Sequence, residues 1–208
     1  MKEYHKIQTV YLRDPATKHR TLLEGQFSLP EFEYLKNSPW EFTEKIDGTN
    51  IRVHWDGEQV IIGGRTDRAQ IPFDLLMAVG TLLPESKFGP VFDCPVTLYG
   101  EGYGAKIQKG GGNYISDGVS FCLFDVLIND NWLDRSNVED IANKLGLTFA
   151  PVMHTCTLLE GVEMCREGIT STFGDFQAEG FVMRPSVELR DRRGNRIISK
   201  IKCKDFQR

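Results

Sequence analysis

Thr43-Glu44-Lys45-Ile46-Asp47-Gly48-Thr49-Asn50 leads directly into Ile51-Arg52-Val53-His54-Trp55-Asp56, and the two stretches together decide the fold. Ile51, Val53 and Trp55 fall on one face of an extended chain, with Arg52, His54 and Asp56 on the other. That is the period of a half-buried strand. Asp56-Gly57 supplies a turn and Val60-Ile61-Ile62 a second strand, so a hairpin follows. On the extended backbone before it, Lys45 and Asp47 point to the same side. Gly48 permits a tight turn or the close approach of a ligand. A lysine so placed can attack an electrophile once its amine is deprotonated by desolvation or neighbouring cations. Taken alone, the plainer reading is a surface lysine in a loop.

Outward from this stretch, strands dominate with helices interspersed, without repeats or a Pro/Ser-rich linker. Residues 30–37 read as a short helix with Pro30 at its start, and Phe73–Leu83 as another. Val96–Tyr99 and Val119–Ile128 read as buried strands, and Gly180–Met183 and Ile197–Lys202 as further strands. Ser136 with Glu139 and Thr157 with Glu160 have the spacing of capping boxes, closed by Gly146 and Gly168. The order predicts an α+β fold with antiparallel sheets.

A chain of 208 residues supports one core, read here as a single domain over 1–208 with residues 1–39 as an extension packed on it. No apolar run approaches a membrane span, and the polar start lacks a signal peptide's apolar core. Five cysteines without CxxC or Cys/His spacing read as free core thiols in a reducing, cytoplasmic setting. The net charge of -4 conceals an uneven distribution: residues 184–208 carry +6 and the rest -10. Such a basic segment suits phosphates or a nucleic-acid backbone, or else a solvated strand edge kept from aggregating by its lysines.

Six short motifs in order change the weight of the lysine. Lys45-Ile46-Asp47-Gly48 resembles the nucleophile motif of the covalent nucleotidyltransferases, the superfamily of ATP-dependent ligases and mRNA capping enzymes. Gly63-Gly64-Arg65-Thr66, Leu98-Tyr99-Gly100-Glu101, Phe121-Cys122-Leu123-Phe124-Asp125-Val126, Glu179-Gly180-Phe181-Val182 and Ile201-Lys202-Cys203-Lys204 follow as its other signatures do. Glu44-Lys45 with Asn50, Arg65-Thr66, Gly100-Glu101 with Ile107-Gln108-Lys109, and Ala178 to Pro185 resemble the RNA ligase 2-like branch, which includes phage and RNA-editing ligases. Asp47 departs from that branch, which often has His there; Asp is more usual in DNA ligases and capping enzymes.

The resemblance implies an ATP-grasp-like nucleotidyltransferase domain with two antiparallel sheets flanked by helices. It implies an ATP-dependent polynucleotide ligase, RNA favoured, that joins 5′-phosphate and 3′-hydroxyl ends through a lysyl-AMP intermediate. Lys45 is then the nucleophile, with Lys202 and Lys204, expected to alternate along one strand face, neutralising the α-phosphate. Arg65 and Glu101 would hold the nucleotide or its ribose, and Phe124 would stack on the base. Glu44, Asp47 and Asn50 complete the expected nucleotide contacts, Glu44 through the adenine amino group. Glu179, Glu101 and Asp47 are the candidates for Mg²⁺ or Mn²⁺, directly or through water. The chain is expected to act as a monomer, without an OB-fold after Lys204, in the cytoplasm, including that of a host cell for a phage or viral protein. A small viral-type DNA ligase, a capping guanylyltransferase and a non-sealing nucleotide-binding module remain as alternatives.

Overall fold

A computed structural model describes residues 1–207. In chain order its first strands are β1 (Gln8–Thr9), β2 (Tyr11–Arg13) and β3 (Leu22–Phe27), followed by helix α1 (Pro30–Tyr34). Next come β4 (Pro39–Glu44), β5 (Thr49–Trp55), β6 (Val60–Gly64), α2 (Phe73–Leu82), β7 (Val96–Gly104) and α3 (Gly111–Tyr114). The remainder comprises β8 (Val119–Ile128), β9 (Asn131–Trp132), α4 (Arg135–Leu145), β10 (Thr148–Phe149), β11 (Val152–Thr157), α5 (Leu158–Glu167), β12 (Gly180–Pro185) and β13 (Ser199–Lys202).

The chain divides into two compact units, and it passes from one to the other between Ile46 and Asp47. The first unit joins Met1–His5 to Asp47–Ala150, and the second joins Lys6–Ile46 to the chain from Pro151 onward. The N-terminal 39 residues are therefore shared between the two.

In the first unit the sheet runs β10-β8-β7-β5-β6, with β9 beside β8. Its β5–β6 hairpin has the expected register, Val53 opposite Ile62. Ile51 and Val53 are fully buried with Leu98, Phe121, Leu123 and Val126 against Leu75 and Val79 of α2. The second unit's sheet runs β1-β13-β12-β4-β11. Behind it, Trp40, Phe42, Phe181 and Ile201 pack on Leu158, Val162 and Cys165 of α5. Truncating such a side chain as Phe42 costs about 3–5 kcal/mol.

These are the two sheets the sequence predicts, with helices against them. Parallel pairs occur at two places, β1 with β13 and β10 with β8, and β2–β3 form a separate ribbon. Thr157 and Glu160 form the expected capping box. The start of α4 differs. Asp134, not Ser136, is its cap, accepting from the Asn137 N–H, while Ser136 donates to the Asp134 carboxylate. A carboxylate beside the orphan N–H groups also suits the helix dipole, so it displaces the hydroxyl.

Candidate active site

In the second unit the site begins where two central strands end. Lys45 follows β4 directly, and its backbone N–H donates to the Gly180 carbonyl at 2.8 Å. Gly180 pairs with Lys202 across β12 and β13. Only glycine fits at 180: its φ is +153°, and a Cβ would lie 2.0 Å from the Ile201 carbonyl oxygen. This close approach brings Glu179, Lys45 and Lys202 together. One oxygen of Glu179 pairs with the Lys45 ammonium and the other with that of Lys202. The Cys203 N–H donates to the Glu179 carbonyl at 2.9 Å and fixes the strand end.

The three side chains are largely withdrawn from water, Glu179 at 9% exposure, Lys45 at 19% and Lys202 at 24%. Burial acts to raise the Glu179 pKa, but the charges and hydrogen bonds of Lys45 and Lys202 outweigh it and hold the carboxyl below its usual range. One carboxylate faces two ammonium groups, so the cluster is left with a positive excess. It can receive an anion.

Glu44 has a different place from the one expected. It is 3% exposed and held by the Ser171 hydroxyl at 2.6 Å, the Thr172 N–H at 2.7 Å and the Thr172 hydroxyl at 2.6 Å. Both its oxygens are engaged by the protein, so it anchors the residue before Lys45 and is not presented to an adenine amino group. Lys204 also departs from expectation. β13 ends at Lys202, and Lys204 sits exposed in a single 3-10 turn over Cys203–Asp205. The alternation fails because the chain stops being extended after Lys202.

The first unit holds the other expected residues. Gly48 is required at the start of β5, since a Cβ there would lie 2.3 Å from the Gly102 carbonyl oxygen. The Asp47 N–H donates to the Tyr114 hydroxyl at 3.2 Å. Asn50 and Glu101 stand directly opposite each other on β5 and β7. The Asn50 side-chain oxygen is buried without a hydrogen-bond partner among the described residues. A buried orphan acceptor calls for a donor, and a sugar hydroxyl is one. Arg65 lies exposed just beyond β6. Phe124 is half-buried beside the register shift of β7 on β8, its ring edge-on to Tyr4 at 5.1 Å.

The sequence reading missed the buried polar groups beside these. Arg52 is fully buried, donating to the Gly64 carbonyl at 2.6 Å, the Met1 carbonyl at 3.0 Å and Asp67 at 2.9 Å. Asp125 is fully buried and accepts from the Tyr4 hydroxyl. A lone acid inside the apolar run Phe121–Ile128 was a signal for the second. For a metal, no three ligating side chains gather among the described residues. The donor set suits an ion that keeps most of its water and takes one or two carboxylates with phosphate oxygens, as Mg²⁺ does.

The RNA ligase family model matches residues 38–202, most of the chain. No curated protein sequence matches it. Among solved structures, a Naegleria gruberi RNA ligase superposes with TM-score 0.72 at 17% identity, over 100% of this chain and 57% of that one. The same ligase with PPi gives TM-score 0.70 at 17% identity, covering 97% and 56%. With AMP and Mn it gives 0.69 at 17% identity, covering 97% and 56%. The chain thus spans little more than half the length of the ligase whose fold it shares. The family match runs from ahead of Lys45 to Lys202, and on it the chain belongs to the RNA ligase family.

Proposed function

We propose that the chain is the adenylylating part of an ATP-dependent RNA ligase, joining 5′-phosphate to 3′-hydroxyl ends through lysyl-AMP. The observation that carries this is the single carboxylate, Glu179, shared between Lys45 and Lys202. The Lys45 Nζ, once it has lost a proton and left Glu179, attacks the α-phosphorus of ATP. An N–P bond forms and the P–O bond to diphosphate breaks. Lys202 keeps its charge and balances that building on the α-phosphate oxygens. AMP then passes to a 5′-phosphate, and a 3′-hydroxyl displaces it to seal the ends.

Mg²⁺ or Mn²⁺ held through Glu179, Glu101 or Asp47 and water would lower repulsion along the triphosphate. Asn50 and Glu101, paired across the sheet, suit ribose hydroxyls; Arg65 suits phosphate and Phe124 the base. The complexes of the Naegleria ligase with ATP, AMP, Mn and PPi support the same set of ligands here. No helix among the described residues is long and apolar enough to cross a membrane. ATP and RNA as substrates point to the cytoplasm, and lysyl-AMP formation calls for no second copy of the chain.

Incubation with ATP and Mg²⁺ followed by intact mass measurement tests the reading. Wild type should gain one AMP and Lys45→Ala none; an unmodified wild type overturns it. A second reading, a DNA ligase, is favoured by Asp47. Sealing of all-DNA nicks as readily as nicks with a 3′-OH ribonucleotide would select it.

A further inference from the structure

The turn between β12 and β13, residues 186–198, carries four arginines (Arg190, Arg192, Arg193 and Arg196) and two acids, Glu188 and Asp191. Both acids are used inside the turn. Glu188 pairs with Arg190 at 3.2 Å and with Arg196 at 3.3 Å, whose side chain is 2% exposed. Asp191 accepts from the N–H groups of Arg193 and Asn195 and from the Asn195 amide, each at 2.8 Å. The Asn195 and Arg193 bonds hold its carboxyl below the usual pKa. Backbone bonds from Asp191 to Asn195 at 2.8 Å and from Ile197 to Leu189 at 3.0 Å close the turn. Arg192 and Arg193 remain exposed at its tip, the charge of Arg193 also acting on Asp191.

We propose that this tip grips the phosphate backbone of the RNA being joined, at a point away from the reacting ends; this rests on the ligase reading above. Adjacent guanidinium groups present flat donor forks that match phosphate oxygens. The turn is already bonded, so little ordering is lost on contact. Glu188 is matched by Arg190 and Arg196, and the four arginines of the turn outnumber its two acids, so a positive excess is left at the tip. β12 starts at Gly180, next to Glu179, and at about 3.3 Å per residue the turn begins roughly 20 Å along it. A strand with its end at Lys45 reaches the tip within several nucleotides. Such a contact positions RNA and reads no sequence.

The test is binding of a 5′-phosphorylated nicked RNA duplex to wild type, R192A/R193A and R192E/R193E, from about 50 to 200 mM salt. Each lost contact should flatten the slope of log affinity against log salt by about 0.7–0.9. Loss of both should weaken binding on the order of tenfold. Lysyl-AMP formation from ATP without RNA should be unchanged. R20E, at another exposed arginine of the same unit, should leave the slope as it is. Equal affinities and parallel slopes for wild type and the tip variants overturn the proposal, as does an equal change in R20E. Binding is measured whether or not the adduct forms, so failure of the ligase reading is seen separately.

Discussion

Two sets of polar groups, one on the first unit's sheet and one at the end of the second unit's sheet, are built in opposite ways. On the first unit's sheet, Arg52 has three acceptors, Asp125 has the Tyr4 hydroxyl, and the Tyr99 hydroxyl donates to the Lys2 carbonyl at 2.9 Å. Burial pushes the Tyr99 phenol up to about 12, so it stays a neutral donor at any working pH. At the end of the second unit's sheet, one carboxylate answers two ammonium groups and an excess positive charge is left. A saturated network specifies structure, whereas an unbalanced one is open to a ligand. Asn50, with its orphan oxygen, is a place where the first unit resembles the second.

If that contrast holds, the largest effects on chemistry come from the unbalanced cluster. Lys45→Ala should abolish the AMP adduct, and Glu179→Gln, which keeps an acceptor but drops the charge, should slow its formation on the order of 10²-fold. Both are read by intact mass against time. Arg52→Met should instead act on stability. It strands the buried Gly64 carbonyl and the part-buried Met1 carbonyl and should cost about 1–3 kcal/mol in urea unfolding. An Arg52→Met protein of unchanged stability but lost adduct formation breaks the contrast.

What the sequence made legible follows from how each feature is built. Lys45, Asp47 and Gly48 lie in one contiguous stretch, and β5 announces itself by alternation, so both can be read locally. The partners of Glu44 lie 127 and 128 residues downstream, and no local pattern points to them. The division of the N-terminal 39 residues is likewise a matter of packing. The place of Lys204 escapes the strand period for a different reason. The ladder ends at Lys202, and the chain passes into a 3-10 turn there.

The Glu44 anchor gives an intermediate test. Thr172→Val removes one of the two Thr172 donors, the hydroxyl, and should cost about 1–3 kcal/mol of stability. Thr172→Ser, which restores the hydroxyl, should recover most of it. Adduct formation should fall with Val and return with Ser, while sealing of a pre-adenylylated RNA end, which bypasses lysine attack, should change less. Equal loss in both reactions would make the anchor purely structural.

A smaller effect is expected from acid. Because Glu179 sits below its ordinary 4.5, its stabilising contribution is complete above that value. It fades as pH falls through the depressed folded pKa. The urea midpoints of wild type and Glu179→Gln should therefore differ by a constant amount at neutral pH and converge only below about pH 4.5. Convergence at higher pH would mean that the lysines do not dominate the carboxyl's surroundings.

The smallest effect separates the two terminal lysines. Lys202 is paired and mostly enclosed, while Lys204 is exposed in the 3-10 turn and has no partner among the described residues. An exposed charge acting through water is worth under about 1 kcal/mol, roughly fivefold in rate. Lys204→Ala should therefore slow adduct formation only a few-fold, and Lys202→Ala on the order of 10²-fold. Equal losses would mean that the turn changes conformation when ATP binds. The unbalanced cluster would then comprise three cations around one carboxylate, and its contrast with the saturated sheet would be sharper still.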